Sequence, residues 1–205
     1  MASLIVAGDT SGSVTIAAPA IASTPTLTLP TVSGTFITTG STGQVIPKAA
    51  LPTGSVLQVV SATKTDTFTT TSTSWTDVTG LSVSITPSSS SSRILVFFSV
   101  MTGETTNQFP FLRLVRNSTT ICVGDAAGSR TQTTSVSWSN GANNTQSMQS
   151  MNFLDSPATT SATTYKLQTL ATAGETILIN RNARDSNVSG EPRGVSTITV
   201  MEIAA

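Results

Sequence analysis

The sequence contains no histidine, so it lacks the side chain that enzymes use most often as a general base near neutral pH. A Ser-His-Asp triad and most zinc hydrolase sites are therefore excluded. Two carboxylates could still hydrolyse a glycoside, but most acidic residues stand beside Gly, Pro, Asn or Ser, in apparent turns. We predict solvated turn carboxylates and no enzymatic activity. The acids concerned are Glu104, Asp125, Asp155, Glu175, Asp185 and Glu191.

Cysteine is nearly absent as well, since Cys122 is the only one. One cysteine excludes an intrachain disulfide and a cysteine-based metal site. The flanking residues Thr120 to Gly124 are typical of a strand, which predicts a buried, unreactive thiol. Because no calcium-loop ligand series occurs either, we expect no metal and no cofactor.

Charge is scarce, at 10% of residues, and ten basic side chains balance ten acidic ones. A net charge of zero argues against nucleic acid or an anionic membrane surface as the main partner. No apolar run is long enough to cross a bilayer, so membrane insertion is not expected. Met1 to Ala20 lacks the features of a signal peptide, which predicts assembly in a cytoplasm.

Serine and threonine are abundant and make up about a third of the chain. Threonine is β-branched and polar, so this composition favours exposed strands and very little helix. Leu81 to Thr86 alternates strictly between apolar and hydroxyl residues, which predicts a half-buried strand, and Ile94 to Val100 predicts a central one. Further strand-like runs recur to the end of the chain. They predict an all-β protein with a β-sandwich or jelly-roll-like head.

The first 47 residues differ from the rest because Asp9 is their only charged residue. Their apolar runs are too short to bury one another in a monomer, so we predict a β-arm that docks on other chains. Residues 48–55, with Pro52 and Gly54, read as a linker. The predicted organisation is an arm over 1–47, a linker over 48–55 and a β-sandwich head over 56–205.

Two polar segments of the head, 124–149 and 182–194, suit recognition better than catalysis. Tryptophan can stack on a sugar ring, while amide and guanidinium groups bond its hydroxyls. Trp138 alternates with Val136, however, which favours an interior tryptophan over a ligand platform. The candidate receptor-binding residues are Arg130, Trp138, Asn140, Asn143 and Arg184.

Several motifs resemble tail-fibre and related virion proteins of tailed bacteriophages. The opening 1–16 is similar to the N-terminal segment of such fibres, as is Leu-Pro-x-x-x-Gly-Thr at 29–35 followed by Thr-Thr-Gly at 38–40. The stretches 123–130, 153–157 and 163–165 resemble the C-terminal β-sandwich heads of the family. The resemblance covers most of the chain, although each motif is of low complexity.

The resemblance implies an intertwined homotrimer whose N-terminal end attaches to other virion proteins and whose distal head contacts a polysaccharide or protein of the host surface. The long repetitive shaft of many fibres is missing here, so a short fibre, on the tail or on the capsid, fits better. The alternative is a non-adhesive virion component, such as a head decoration or tail-collar protein. The residues expected to anchor the arm are Leu4, Val6, Val14, Ile16, Leu27 and Leu29.

Overall fold

A computed structural model describes residues 3–7, 13–17, 48, 51–105, 109–138, 144–172 and 174–205. The chain is all-β, as predicted, and every strand pairing is antiparallel. It divides into two compact units, Met1–Val45 and Ile46–Ala205.

The first unit contains a two-stranded sheet of β1 (Ser3–Ala7) and β2 (Ser13–Ala17). Ile5 pairs with Thr15 at its centre. Four of the six predicted anchoring residues fall in these strands, whereas Leu27 and Leu29 lie outside the described residues. The anchoring role of all six stays a prediction.

The second unit consists of two sheets that pack face to face. The six-stranded sheet contains β3 (Val56–Lys64), β4 (Phe68–Thr70), β6 (Arg93–Glu104), β10 (Gln146–Asp155), β12 (Ile177–Ile179) and β13 (Ser196–Ile203). The five-stranded sheet contains β5 (Thr76–Ile85), β7 (Phe111–Arg116), β8 (Thr119–Ile121), β9 (Ser135–Val136) and β11 (Thr163–Leu170). One apolar core lies between the sheets, which makes this unit a β-sandwich.

Period-two alternation decides which side chains enter the core. In β5, Leu81, Val83 and Ile85 are buried while Ser82 and Ser84 are exposed, so the predicted half-buried strand is confirmed. The central strand is also confirmed, because β6 pairs with β10 along one edge and with β12 and β13 along the other.

A hairpin that turns at Asn117 and Ser118 joins β7 to β8. Asn117 adopts a left-handed φ of 53°, a conformation that asparagine tolerates better than most residues. Its backbone N–H donates to the Thr164 carbonyl at 2.7 Å, and its side-chain oxygen accepts from the Thr164 N–H at 2.8 Å. The turn is therefore fixed against β11.

Two polar contacts join β10 to the opposite sheet. At one end of β10, Asp155 accepts hydrogen bonds from Arg116 and Tyr165. Towards the other end, the buried Gln149 side chain donates to the Pro110 carbonyl at 2.9 Å and to the Ser137 hydroxyl at 3.2 Å. The prediction that Asp155 is a solvated turn carboxylate is wrong, because a cation and a phenol on neighbouring strands satisfy it inside the sandwich.

The predicted linker packs against the end of the last strand. Gly54 donates its N–H to the Ala204 carbonyl at 2.8 Å, and Ala204 donates back to Ser55 at 2.9 Å. Lys48 Nζ lies 3.9 Å from a carboxylate oxygen of the buried Glu202. We call this end of the sandwich the entry end, since Lys48 and residues 51–55 lie here, and the opposite end the distal end.

Candidate functional site

Aromatic and aliphatic side chains form a row across the outer face of the five-stranded sheet, at its distal end. Leu170 pairs with Phe111, which pairs in turn with Val136. Phe109 stacks on Phe111, with ring centroids 6.5 Å apart and planes inclined by 7°. Trp75 directly precedes β5, on the far side of β11. We call these five residues the aromatic row.

A row of bonded polar side chains runs beside it, one step closer to the entry end. Trp75 covers the Arg113 guanidinium, whose carbon lies 4.4 Å from the ring centroid. Arg113 Nε donates to Gln168 Oε1 at 2.8 Å, and Gln168 Nε2 donates to Asp77 Oδ1 at 2.6 Å. Lys166 Nζ donates to Asp77 Oδ2 at 2.7 Å. We call Asp77, Arg113, Lys166 and Gln168 the polar row.

Hydrogen bonding favours the ionised form of Asp77 in the polar row. The bond from Lys166 lowers the pKa of the Asp77 carboxyl; partial burial opposes this effect, and the bond from Gln168 adds to it. Partial burial lowers the pKa of the Arg113 guanidinium, which still remains protonated at any physiological pH. The result is a set of fixed charges and amides beside one exposed ring, Phe109, and two partly buried ones, Trp75 and Phe111. Such a surface can stack on the apolar face of a sugar while it hydrogen-bonds the hydroxyls.

Trp138 lies two residues beyond the aromatic row and is 61% exposed. The interpretation of Trp138 as an interior residue is wrong. The Ser137 hydroxyl bonds Thr102 and Gln149, both at 3.2 Å, and therefore faces inward between the sheets. Its neighbours Val136 and Trp138 consequently face solvent. The alternation was read correctly, but it does not reveal which of the two faces is buried.

Arg130 and Arg184, the two other predicted receptor-binding residues that the structure describes, lie in different segments, and each bonds within its own segment. Arg130 lies in the segment between β8 and β9 and donates to the Ala127 carbonyl of the same segment at 3.2 Å. Arg184 lies in the segment between β12 and β13 and pairs with Glu191 there. Asn140 and Asn143 lie outside the described residues.

Two carboxylates cross-link the segment that holds Arg184. Asp185 pairs with Arg181 at 3.1 Å and with Arg193 at 2.6 Å. The nearly buried carboxylate of Glu191 pairs with Arg184 at 3.2 Å. The prediction of a solvated turn carboxylate is therefore wrong for Glu191, because the segment folds over its own acids. These ion pairs hold the segment together.

The remaining chemistry-bearing groups are unremarkable. Cys122 is half-buried rather than buried, and desolvation raises the pKa of its thiol, which disfavours the reactive thiolate. Within the described ranges, no group of three or more metal-ligating side chains converges. Those ranges also contain no helix long and apolar enough to cross a membrane.

Sequence reasoning missed Trp75, Phe109, Phe111 and Arg113 as possible ligand contacts. Trp75 stands more than thirty positions before the other three and meets them only because β5, β11 and β7 lie side by side. No protein-family model and no curated protein matches this sequence.

Proposed function

We propose that the chain is a short fibre protein of a tailed-bacteriophage virion. In this proposal three copies associate, the N-terminal arm attaches them to other virion proteins, and the sandwich binds a carbohydrate or protein of the host cell surface. The protein is assembled in the cytoplasm of the host bacterium. It acts as an adhesin and has no enzymatic activity.

The observation that carries the proposal is the aromatic row beside the polar row, at the distal end of the sandwich. Phe111 stands at the distal end of β7 and Arg116 at the entry end, five residues or about 17 Å apart. The rings are thus presented away from the entry end, where Lys48 and residues 51–55 lie. An adhesin needs this separation, because its ligand and its attachment must not compete for one surface.

The composition of the arm supports attachment to other chains. Only Asp9 is charged among the first 47 residues, and the described part of that unit is a sheet of two five-residue strands. Two short strands give marginal stability on their own, so further strands or another surface are needed to complete such a sheet. Copies of the chain and the neighbouring virion proteins are the partners that we propose.

Intrinsic fluorescence offers a direct test, because the only two tryptophans, Trp75 and Trp138, lie in or next to the aromatic row. Full-length protein would be titrated with purified surface polysaccharides of candidate hosts. We expect a saturable change in emission that Trp75→Phe reduces. The matched control is Ser84→Ala, which changes the same outer face away from the rings. Absence of any saturable change with a panel that includes the host would count against carbohydrate binding.

A non-adhesive virion component is the second candidate, and one observation favours it. The four members of the polar row already hydrogen-bond one another, as they would on a surface stabilised for its own sake. This candidate predicts that virions lacking the sandwich still adsorb to cells, whereas an adhesin predicts that adsorption is lost.

A further inference from the structure

The outer face of the six-stranded sheet is almost free of charge. Met201 of β13 pairs with Val59 of β3 on one side and with Leu95 of β6 on the other, and Leu95 pairs with Leu154 of β10. Four apolar side chains thus cross four strands in one line. Val59 is 53% exposed, and Leu154 is 38% exposed.

The neighbouring lines across the same strands are uncharged as well. Phe97, which is 38% exposed, is flanked by Thr199 and Asn152. The next set of outward-facing paired residues towards the distal end consists of serines and threonines. Met148 is 50% exposed and lies opposite Met101. We call the outward side of β3, β13, β6 and β10 the charge-free face. Of its described positions only Arg93, at the entry-end margin, carries a charge.

The charge-free face also ends in an unprotected strand edge. β10 is ten residues long, and among the described strands it pairs with β6 alone. From Gln146 to Leu154 it contains no charged residue and no proline, the usual devices that keep an edge strand from pairing. The outer face of the other sheet, in contrast, carries the charged polar row.

The absence of charge limits which partners could cover the charge-free face. A partner that presents charged groups would bury them against methyl, phenyl and hydroxyl groups that cannot neutralise them, at a large desolvation cost. A suitable partner presents an apolar surface with scattered hydroxyls. The same face on another copy of this chain has that chemistry. Arg93 at one margin, and Arg181, Asp185 and Arg193 beyond the other, supply the polar rim of a protein interface.

We propose that the charge-free face is the surface through which copies of this chain associate, with their charge-free faces turned towards one another. The number of copies, three, rests on the proposed function, but the location of the contact does not. If the protein binds no host surface, the contact can still hold. If the contact fails, host binding by the aromatic row can still hold.

The test uses full-length protein and needs no variant for its first part. Sedimentation gives the number of copies, and peroxide oxidation followed by mass spectrometry gives the accessibility of individual methionines. We expect an oligomer in which Met148 oxidises at least about tenfold more slowly than in urea, despite its exposure in the single chain. A monomer, or an oligomer in which Met148 oxidises as fast as in urea, would overturn the proposal.

Substitutions then locate the contact. Phe97→Lys places a charge at the centre of the face and should raise the concentration of half-dissociation by about tenfold or more. If the arm alone keeps the copies together, Phe97→Lys should leave the oligomer intact but should make Met148 accessible to oxidation. Ser82→Lys adds the same charge to the opposite sheet and should change neither result. Val59→Lys replaces Phe97→Lys if that variant does not fold. Unchanged assembly and unchanged protection in the folded variant would reject the contact.

Discussion

Tyr165 donates its hydroxyl to Asp155 Oδ2 at 2.7 Å, and this bond connects the two sheets of the sandwich. Tyr165 is fully buried in β11 of one sheet, while Asp155 ends β10 of the other. Arg116 Nη1 lies 2.8 Å from both oxygens of the same carboxylate. A buried carboxylate is thus neutralised and hydrogen-bonded from the opposite sheet, as burial of a charge requires.

Removal of the Tyr165 hydroxyl should destabilise the sandwich without disturbing its outer faces. Tyr165→Phe deletes one hydrogen bond to a charged group and should lower the free energy of unfolding by about 1.5–3 kcal/mol. Urea denaturation measures the loss. Ser82→Ala, an exposed change on the same sheet, should stay within about 0.5 kcal/mol of the wild type. Equal effects of the two variants would contradict the role of the bond.

The burial of Tyr165, together with this bond, should make the protein sensitive to alkali. Burial first, and the bond to Asp155 second, raise the pKa of Tyr165 far above its ordinary value. A group whose pKa is raised by folding contributes its full stabilisation at pH values below its pKa in the unfolded chain, which is about 10 for tyrosine. This contribution is lost as the pH rises further. Tyr165 is the only tyrosine, so phenolate absorbance reports it alone. We expect ionisation to coincide with unfolding, whereas ionisation of the folded protein near pH 10 would contradict the burial.

Glu202 should control stability in acid. Burial raises the pKa of the Glu202 carboxyl. The carboxylate accepts hydrogen bonds from the Ser88 hydroxyl, the Ser88 backbone N–H and the Gln58 amide, each 2.6 Å long. These bonds contribute to a larger opposite effect, so the pKa lies below its usual value. A group whose pKa is lowered by folding stabilises the protein at pH values above its pKa in the unfolded chain. This contribution is lost as the pH falls through its pKa in the folded protein. Glu202→Gln should therefore flatten the loss of stability below about pH 5. An acid profile identical to that of the wild type would contradict this prediction.

Gly103 should tolerate no side chain. A Cβ at this position would lie 2.4 Å from the backbone oxygen of Arg181, and backbone cannot move aside as a flexible side chain can. Gly103→Ala should lower the free energy of unfolding by about 1–3 kcal/mol and displace the segment between β12 and β13. Gly124 has open space around it, so Gly124→Ala is the control and should be nearly neutral. Thermal denaturation of both variants provides the comparison.

Asn180 should be equally hard to replace. Its side-chain amide donates to the carbonyls of Lys64 and Asp66 at 2.8 and 2.9 Å, and its oxygen accepts from Ser196 at 2.6 Å. Its φ of 62° also suits asparagine better than alanine. Asn180→Ala should cost about 2–5 kcal/mol of unfolding free energy, measured by urea denaturation. The exposed Asn187→Ala is the control, and an equal cost would contradict the assigned bonds.

The sequence predicts the strands of this fold well, because alternation is a local property. The half-buried face of β5 and the turn at Asn117 follow from a few adjacent residues. Long-range pairings do not follow from them. Asp155 resembles a turn carboxylate in the sequence, since Arg116, the cation that binds it, stands 39 positions away.

The candidate site shows the same limit. Trp138 was found from its residue type, but its orientation depends on which side of β9 faces the second sheet. The aromatic row was not found at all, because Trp75, Phe111 and Leu170 become neighbours only through the pairing of β11 with β7 and β5. Composition indicates an arm with a single charge, yet only strand register reveals that the charge-free face is continuous over four strands.

Adsorption of fluorescently labelled full-length protein to a panel of candidate host bacteria tests the central claim most directly. We expect saturable binding to the host, strongly reduced by Trp75→Ala and unchanged by Ser84→Ala on the same outer face. No saturable binding by folded protein to a bacterium that the virion infects, or equal binding by Trp75→Ala, would contradict an adhesin that works through the aromatic row.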